Sequence, residues 1–382
     1  MSVKSFIKWA KGAKTQERVC VARVLGKTWC IGEFLEKERD SLVWAMTHLL
    51  DDPVLSVRLS FARGIALSNT VPRHVVLALS EDHPDVSGTM ILHSPVLNDN
   101  DLIDLIQRGS NLTRVFVASR YKLSSIVAEY LIKEFGRSDN IIVLLENKSA
   151  LLSDSLLIHI VEYFGHISYV RHLLFLRTNL SLKVRYLLMK HCCNAVCNSE
   201  IVRKVMASHR AKILFEESMR IGIFEMIQNI GSTQNLYELV EILQEDKQLT
   251  PALLIHALII GNIDCVSVIL ETISEHSRNR ISSILSTGSC HVVRALYESV
   301  GLDYDVSIIF VEATMIWRKI AMNSTMTEPG MIAENLLKIV RNKDIMGAPV
   351  KELLEMIERI YLDTNRKFLR SIASNSSHLV AA

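Results

Sequence analysis

The chain has 382 residues, is 49% hydrophobic with only 6% aromatic, and carries 43 basic against 41 acidic residues. Its length suffices for a large core in one elongated domain or two compact ones. Seven prolines and 15 glycines are too few for the tight turns of an all-β fold, and a net charge of +2 gives no overall pull toward nucleic acid or anionic lipid. A membrane-spanning helix needs roughly 18 uncharged apolar residues. The longest apolar run, PALLIHALIIGNI at 251–263, falls short. The seven cysteines show no framework spacing, which indicates a reducing compartment, and cytoplasm is the expected location.

In chain order, MSVKSFIKWAKGAK comes first and places Lys4, Lys8, Lys11 and Lys14 beside Phe6, Ile7 and Trp9. It lacks the apolar stretch and cleavage site of a signal peptide. Two readings stand. One is an amphipathic helix making peripheral contact with an anionic membrane. The favoured one is a helix that caps a stack, its lysines in water, so residues 1–50 are read as N-terminal capping helices. The GKT at 26–28 resembles the end of a phosphate-binding loop, but the glycine required five positions earlier is Val21.

From residue 51 the chain repeats. Thr70, Asn98, Ser124, Ser153 and Ser181 recur at intervals of 28, 26, 29 and 28, and Leu97, Leu123, Leu152 and Leu180 precede the last four. A period of this size marks a repeat protein. Each polar anchor opens a helical stripe: Ile126, Val127, Tyr130 and Leu131 after Ser124, then Leu156, Leu157, Ile160 and Val161 after Ser153. Such anchors suit an N-cap, whose side-chain oxygen accepts an orphan backbone N–H, worth about 1 kcal/mol. A second helix precedes each anchor. In the first unit Asp52 is its expected cap, with Pro53 at the first helical position, and Asp82 has the matching role in the next.

The expected fold is therefore all-α. An α-solenoid of HEAT-like helix pairs, about 28 residues each, spans 51–195 in units 51–81, 82–109, 110–136, 137–165 and 166–191. A second helical region over 196–370 starts with a long helix across 199–229 and continues in shorter helices, ending in a pair near 328–341 and 348–371. The tail 371–382 is expected to be disordered.

The segments HSPVLNDNDLI, VASRYKLSSIV and LLENKSALLSDSLL, followed later by GNIDCVSVILETIS, SRNRISSIL and VVRALYESVGL, resemble a bacterial family catalogued as domain of unknown function 2336. The resemblance covers roughly 45–320. It implies a helical, HEAT-like repeat protein of the bacterial cytoplasm and brings no catalytic residues. The stretch DDPVLSVRLSFA is also similar to general HEAT repeats through Asp52, Val57, Arg58 and Ala62.

His191, Cys193 and Cys197 form the densest cluster of metal-ligand types, with Cys192 beside them, but no second His/Cys pair lies nearby. Small packing residues at the join of two regions are the favoured reading, and no cofactor or metal is expected. Ser94, Arg120, Ser149 and Arg177 each stand three positions before a repeat leucine, with Asn147 nearby. In a stack held in register they line one ridge. That ridge is either a recognition strip for an acidic partner or peptide, or a set of donors for helix C-terminal carbonyls.

No HExxH pair, GxSxG elbow or GxGxxG loop occurs in the sequence. The leading expectation is a non-enzymatic protein-interaction scaffold or regulatory adaptor with a protein or peptide partner. Two alternatives remain open. One is a nucleic-acid-binding protein using Arg58, Arg120, Arg171, Arg177, Lys183 and Arg185 on a concave face. The other is a small-molecule sensor with a pocket between the two helical regions.

Overall fold

The computed structural model describes residues 3–32, 34–322, 330–342 and 348–380, and among these every regular element is a helix. They form two compact units, Met1–Ala195 and Val196–Ala382.

The first unit holds α1 (Val3–Gly12), α2 (Thr15–Ile31), α3 (Glu36–Leu50), α4 (Leu55–Ile65), α5 (Arg73–Ser80), α6 (Pro84–His93), α7 (Asp99–Arg108), α8 (Asn111–Ala118), α9 (Ser125–Phe135), α10 (Ser138–Glu146), α11 (Asp154–Phe164), α12 (Ser168–Phe175) and α13 (Leu182–Cys197), the last ending just past the boundary. Each unit read from the sequence thus contains two helices. From α4 to α12 they are only 8 to 11 residues long. Isolated helices below roughly 12–15 residues are marginal in water, so their stability comes from stacking.

Two rows result. In the even row α2 packs on α4, α4 on α6, α6 on α8, α8 on α10 and α10 on α12. In the odd row α1 packs on α3, α3 on α5, α7 on α9 and α9 on α11. Arg73 of α5 pairs with Asp101 of α7 to continue that row. Between the rows, Val57, Phe61, Met90, Leu105, Val127 and Leu156 belong to one continuous apolar core. Full burial of such side chains contributes about 1.5–3 kcal/mol each.

The even helices run parallel, as their cross-contacts establish. Arg23 of α2 meets Ser60 of α4 at 3.4 Å, and further along Cys30 Sγ donates to the Gly64 carbonyl at 3.3 Å. Arg58, early in α4, reaches Asp82, just before α6. At the other end, the C-termini of α6 and α8 and of α8 and α10 are joined by Arg120 and Asn147. The α2–α4 crossing depends on two glycines. A Cβ on Gly26 would lie 3.0 Å from the Gly64 Cα, backbone against backbone.

The caps follow the sequence at some anchors only. Asn98, Ser124 and Ser153 accept the N–H of Asp101, Val127 and Leu156 at 2.9, 3.4 and 3.3 Å. Thr70 is not a cap: its hydroxyl meets Ser68, and Pro72 delays the start of α5 to Arg73. Ser181 stands before Leu182 of α13, but its Oγ is buried without a partner. Asp52 accepts the Val54 N–H at 2.9 Å in the turn before α4, so Pro53 precedes the helix instead of opening it. His83 caps α6, with Pro84 at its start. Ile126 is 64% exposed, so the buried stripe of α9 begins at Val127.

Asp82 serves as an anchor instead of a cap. Arg58 donates to it through Nε and Nη2 at 2.6 and 2.8 Å, and through Nη1 to the Asp52 carbonyl at 2.6 Å. Burial disfavours the Asp82 charge, but the guanidinium fork and the His83 N–H outweigh it and hold the carboxyl below the usual carboxylate range. The folded carboxyl therefore titrates below the unfolded one. Its stabilisation is complete above about pH 4 and is lost as the pH falls through the folded value. Urea melts of the wild type and Asp82→Asn are expected to differ most near about pH 7 and to converge only as the pH falls below the lowered value of the folded carboxyl. A difference that ignores pH would contradict this role.

The second unit continues with α14 (Glu200–Val205), α15 (Ser208–Gln228), α16 (Thr233–Glu245), α17 (Pro251–Ile260), α18 (Ile263–Ile273), α19 (Arg278–Thr287), α20 (Cys290–Ser299), α21 (Tyr304–Met322), α22 (Met331–Asn342) and α23 (Ala348–Val380). The single long helix expected over 199–229 is broken at Met206 and Ala207, which are extended. α14 buries no residue, so no packing holds it in line with α15. Thr250 and Pro251 open α17 as the sequence indicates, with the Thr250 hydroxyl accepting the Leu253 N–H. Arg318 of α21 donates to the carbonyls of Leu285, Gly288 and Ile284 at 2.6 Å each, closing the C-terminus of α19. Residues 328–329 of the expected last pair lie outside the described residues. α23 extends to Val380 across most of the expected tail 371–382, of whose side chains nothing is described, and Ala381 and Ala382 lie outside the described residues.

Candidate functional site

Because the even helices are parallel, their C-terminal turns share one edge of the first unit. The five polar residues singled out from the sequence lie along it. Arg120 donates through Nη2 to the Ser94 carbonyl at 2.5 Å and through Nη1 to the Ile91 carbonyl. These are C-terminal carbonyls of α6, which no further helical turn can satisfy. Asn147 does the same one repeat later, donating through Nδ2 to the carbonyls of Ala118 and Arg120 at 2.9 and 2.8 Å. Ser149 donates to Asn147 Oδ1 at 2.7 Å and accepts the Lys122 N–H at 3.0 Å. The Leu151 N–H reaches the Leu123 carbonyl at 3.0 Å. Arg177 Nη2 donates to the Leu145 carbonyl at 3.4 Å.

These contacts form a ladder that ties each turn to the one before. Burial pulls the guanidinium of Arg120 below the usual arginine range against the opposing pull of Asp99, and burial does the same to Arg177. Ser94 is fully buried. Arg120, Asn147 and Arg177 are thus directed at main-chain carbonyls inside the stack, Ser149 braces Asn147, and the Ser94 hydroxyl is buried without a partner. Three of the five, Arg120, Asn147 and Arg177, have the carbonyl-donor arrangement.

What the edge presents outward is different. Ile31, Leu67, Tyr121, Leu151 and Leu176, at or beside the C-terminal turns of α2, α4, α8, α10 and α12, are each at least 65% exposed. At the remaining turn, after α6, Pro95 is exposed. A shallow hollow of about 300 Å³ on α2, lined by Val24, Lys27, Thr28, Ile31 and Gly32, extends this apolar surface. Sequence reasoning missed these five residues because they sit at varying distances from the polar anchors. The available signal was the second apolar residue at each turn, beside the leucine that plugs the core, as in Tyr121 next to buried Leu123.

The other sequence candidates fall as follows. His191 is half-buried against Gly165, where a Cβ would meet its Cδ2 at 2.5 Å. Burial, then the charges of Arg171, His166 and Lys190, push its imidazole below the ordinary histidine value. Cys193 is half-buried and Cys197 buried. Among the described residues no three His, Cys, Asp or Glu side chains converge on a point that would hold a metal ion. The apolar face of α1 is occupied: Phe6 is in the core, edge-on to His48 of α3, and Trp9 packs beside it. Lys8 and Lys11 are exposed, and the Lys4 side chain lies outside the described residues. Among the described residues no helix is long and apolar enough to cross a membrane. Of the six basic residues of the nucleic-acid reading, Arg58, Arg120 and Arg177 are bonded inward as above. Arg171 donates to the carbonyls of Gly165 and His166 at 2.8 Å.

The chain matches no curated protein and no solved structure. Residues 86–344 match the family described as "Uncharacterised protein conserved in bacteria (DUF2336)". That match runs from the second helix pair to α22, through both units. With more than half of its length matched, the chain belongs to that bacterial family.

Proposed function

We propose that the first unit is an α-solenoid of HEAT-like helix pairs and that the protein is a non-enzymatic, cytoplasmic interaction scaffold or adaptor. The parallel even row, the odd row behind it and the carbonyl ladder support the solenoid reading. Stacked helix pairs present extended surfaces suited to peptide or protein binding. The observation that carries the docking role is the exposed apolar residue at the turns after α4, α8, α10 and α12 along one edge, Leu67, Tyr121, Leu151 and Leu176, with exposed Pro95 at the turn after α6. Scattered exposed apolar residues need no explanation, but apolar residues repeated along one edge suit an interaction site. The inward bonding of Arg58, Arg120, Arg171 and Arg177 speaks against the nucleic-acid alternative, since those guanidinium groups are engaged away from phosphate.

The test is a photo-crosslinking side chain placed in cells at Tyr121 and, separately, at Arg137, which is exposed at the opposite edge. A discrete protein adduct from position 121 and none from 137 is expected. Equal adducts from both, or none from 121, would remove the docking role.

A further inference from the structure

We propose that the occupant of this edge is an acidic segment with regularly spaced apolar side chains, bound in extended form, an inference that rests on the docking role above. The first ground is charge. Exposed cations accompany the exposed apolar residues: Lys27 lies one helical turn before Ile31, Arg63 one turn before Leu67, Lys122 next to Tyr121, and Lys148 three residues before Leu151. No side-chain ion pair engages any of these four among the described residues. Elsewhere in the unit Arg18, Arg58, Arg73, Arg108 and Lys133 are paired with carboxylates.

The turns after α4, α6, α8, α10 and α12, at 66–72, 94–98, 119–124, 147–153 and 176–181, contain no Asp or Glu, whereas the stretch after α2 carries Glu33. Of the acids nearest to them two are engaged, and Asp154 stands exposed beside the 147–153 turn. Asp99 acts on Arg120, and Glu146 accepts the Tyr169 hydroxyl at 2.8 Å. Asp154 lies in the first turn of α11. The edge therefore offers apolar contact together with an exposed cation at four of its six turns, those after α2, α4, α8 and α10.

The second ground is spacing. Neighbouring parallel helices lie about 8–10 Å apart, and an extended chain advances about 3.3 Å per residue. Successive turns are thus about three residues apart along an extended partner. A ligand that places one apolar and one acidic residue in every third-residue step meets the turns after α4, α8 and α10 in one register, with one step passing Pro95 at the turn after α6. Lys122 is fixed for this role by its backbone: it has a φ of +54°, and its N–H is held by Ser149.

The experiment measures fluorescence anisotropy with the full chain and a labelled peptide of about six Leu-Asp-Ser triplets. The controls are the same peptide with Asn for Asp, and phosphatidylserine vesicles. The acidic peptide is expected to bind, the Asn peptide to bind about tenfold or more weakly, and added salt to weaken the first selectively. The double variant Lys122→Glu/Lys148→Glu is expected to lose about tenfold in affinity for the acidic peptide with an unchanged melting temperature. The variant Tyr121→Ser/Leu151→Ser is expected to lose binding of both peptides.

Equal affinity for both peptides, lost in Tyr121→Ser/Leu151→Ser, overturns the acidic partner and leaves the docking edge standing. Peptide binding that survives in Tyr121→Ser/Leu151→Ser removes the edge as well. Binding to vesicles and to neither peptide overturns the inference in favour of a lipid surface. Self-association of the chain that the same variant abolishes overturns it in favour of a second copy.

Discussion

Replacing Arg120 by methionine is expected to destabilise the first unit by about 2–3 kcal/mol, and so to lower its melting temperature by roughly 4–12 °C. Methionine keeps most of the apolar stem but removes the donors that satisfy the carbonyls of Ile91 and Ser94. Those carbonyls end α6, and no backbone N–H replaces the guanidinium. Arg120→Lys is expected to recover less than half of the loss, because one ammonium group does not reproduce a planar two-pronged donor. Thermal melts followed by circular dichroism provide the check. An unchanged melting temperature in Arg120→Met would mean that the ladder does not hold the turns together.

Gly26→Leu is expected to cost about 3 kcal/mol, by overpacking the α2–α4 crossing. Here the obstacle is main chain: a Cβ at 26 lies 3.0 and 3.1 Å from the Cα and carbonyl carbon of Gly64. A flexible side chain moves aside for such an intrusion, whereas a helix backbone moves only as a unit, which would pull α2 off α4. Gly26→Ala is expected to fall between the wild type and Gly26→Leu. Limited proteolysis is expected to cut between residues 12 and 36 faster in Gly26→Leu, and equal rates would contradict the account. The glycine of the GKT triplet at 26–28 thus has a packing role, which fits the missing partner glycine at Val21.

The helix pairs were legible in the sequence because their signals are local. Ser124 and Ser153 cap the helices that follow them, and Leu123 is buried at the turn, all within a few residues of the anchor. The failures arise where a signal needed a neighbour. Thr70 has the composition of a cap, but Pro72 displaces the helix start. Ile126 fits the apolar stripe by type, yet it lies one position outside the buried face. Residues 199–229 have helical composition throughout, but α14 buries no residue and breaks from α15 at Met206 and Ala207. For the edge, sequence identified the polar ridge but not which way it points. Arg120 and Tyr121 are adjacent, and only the parallel packing of α6, α8 and α10 sends the first inward to carbonyls and leaves the second outside. Family membership adds a bacterial setting and leaves the partner to experiment.

The most direct test of the account extends the crosslinker pair to both edges of the first unit. The side chain is placed in turn at Leu67, Tyr121, Leu151 and Leu176, then at His83, Ser110, Arg137 and His166, and adducts formed in cells are compared. The account predicts the same adduct from the first four positions and none from the second four. Adducts of equal yield from the His83 to His166 edge, or different adducts at each of the first four positions, would contradict it.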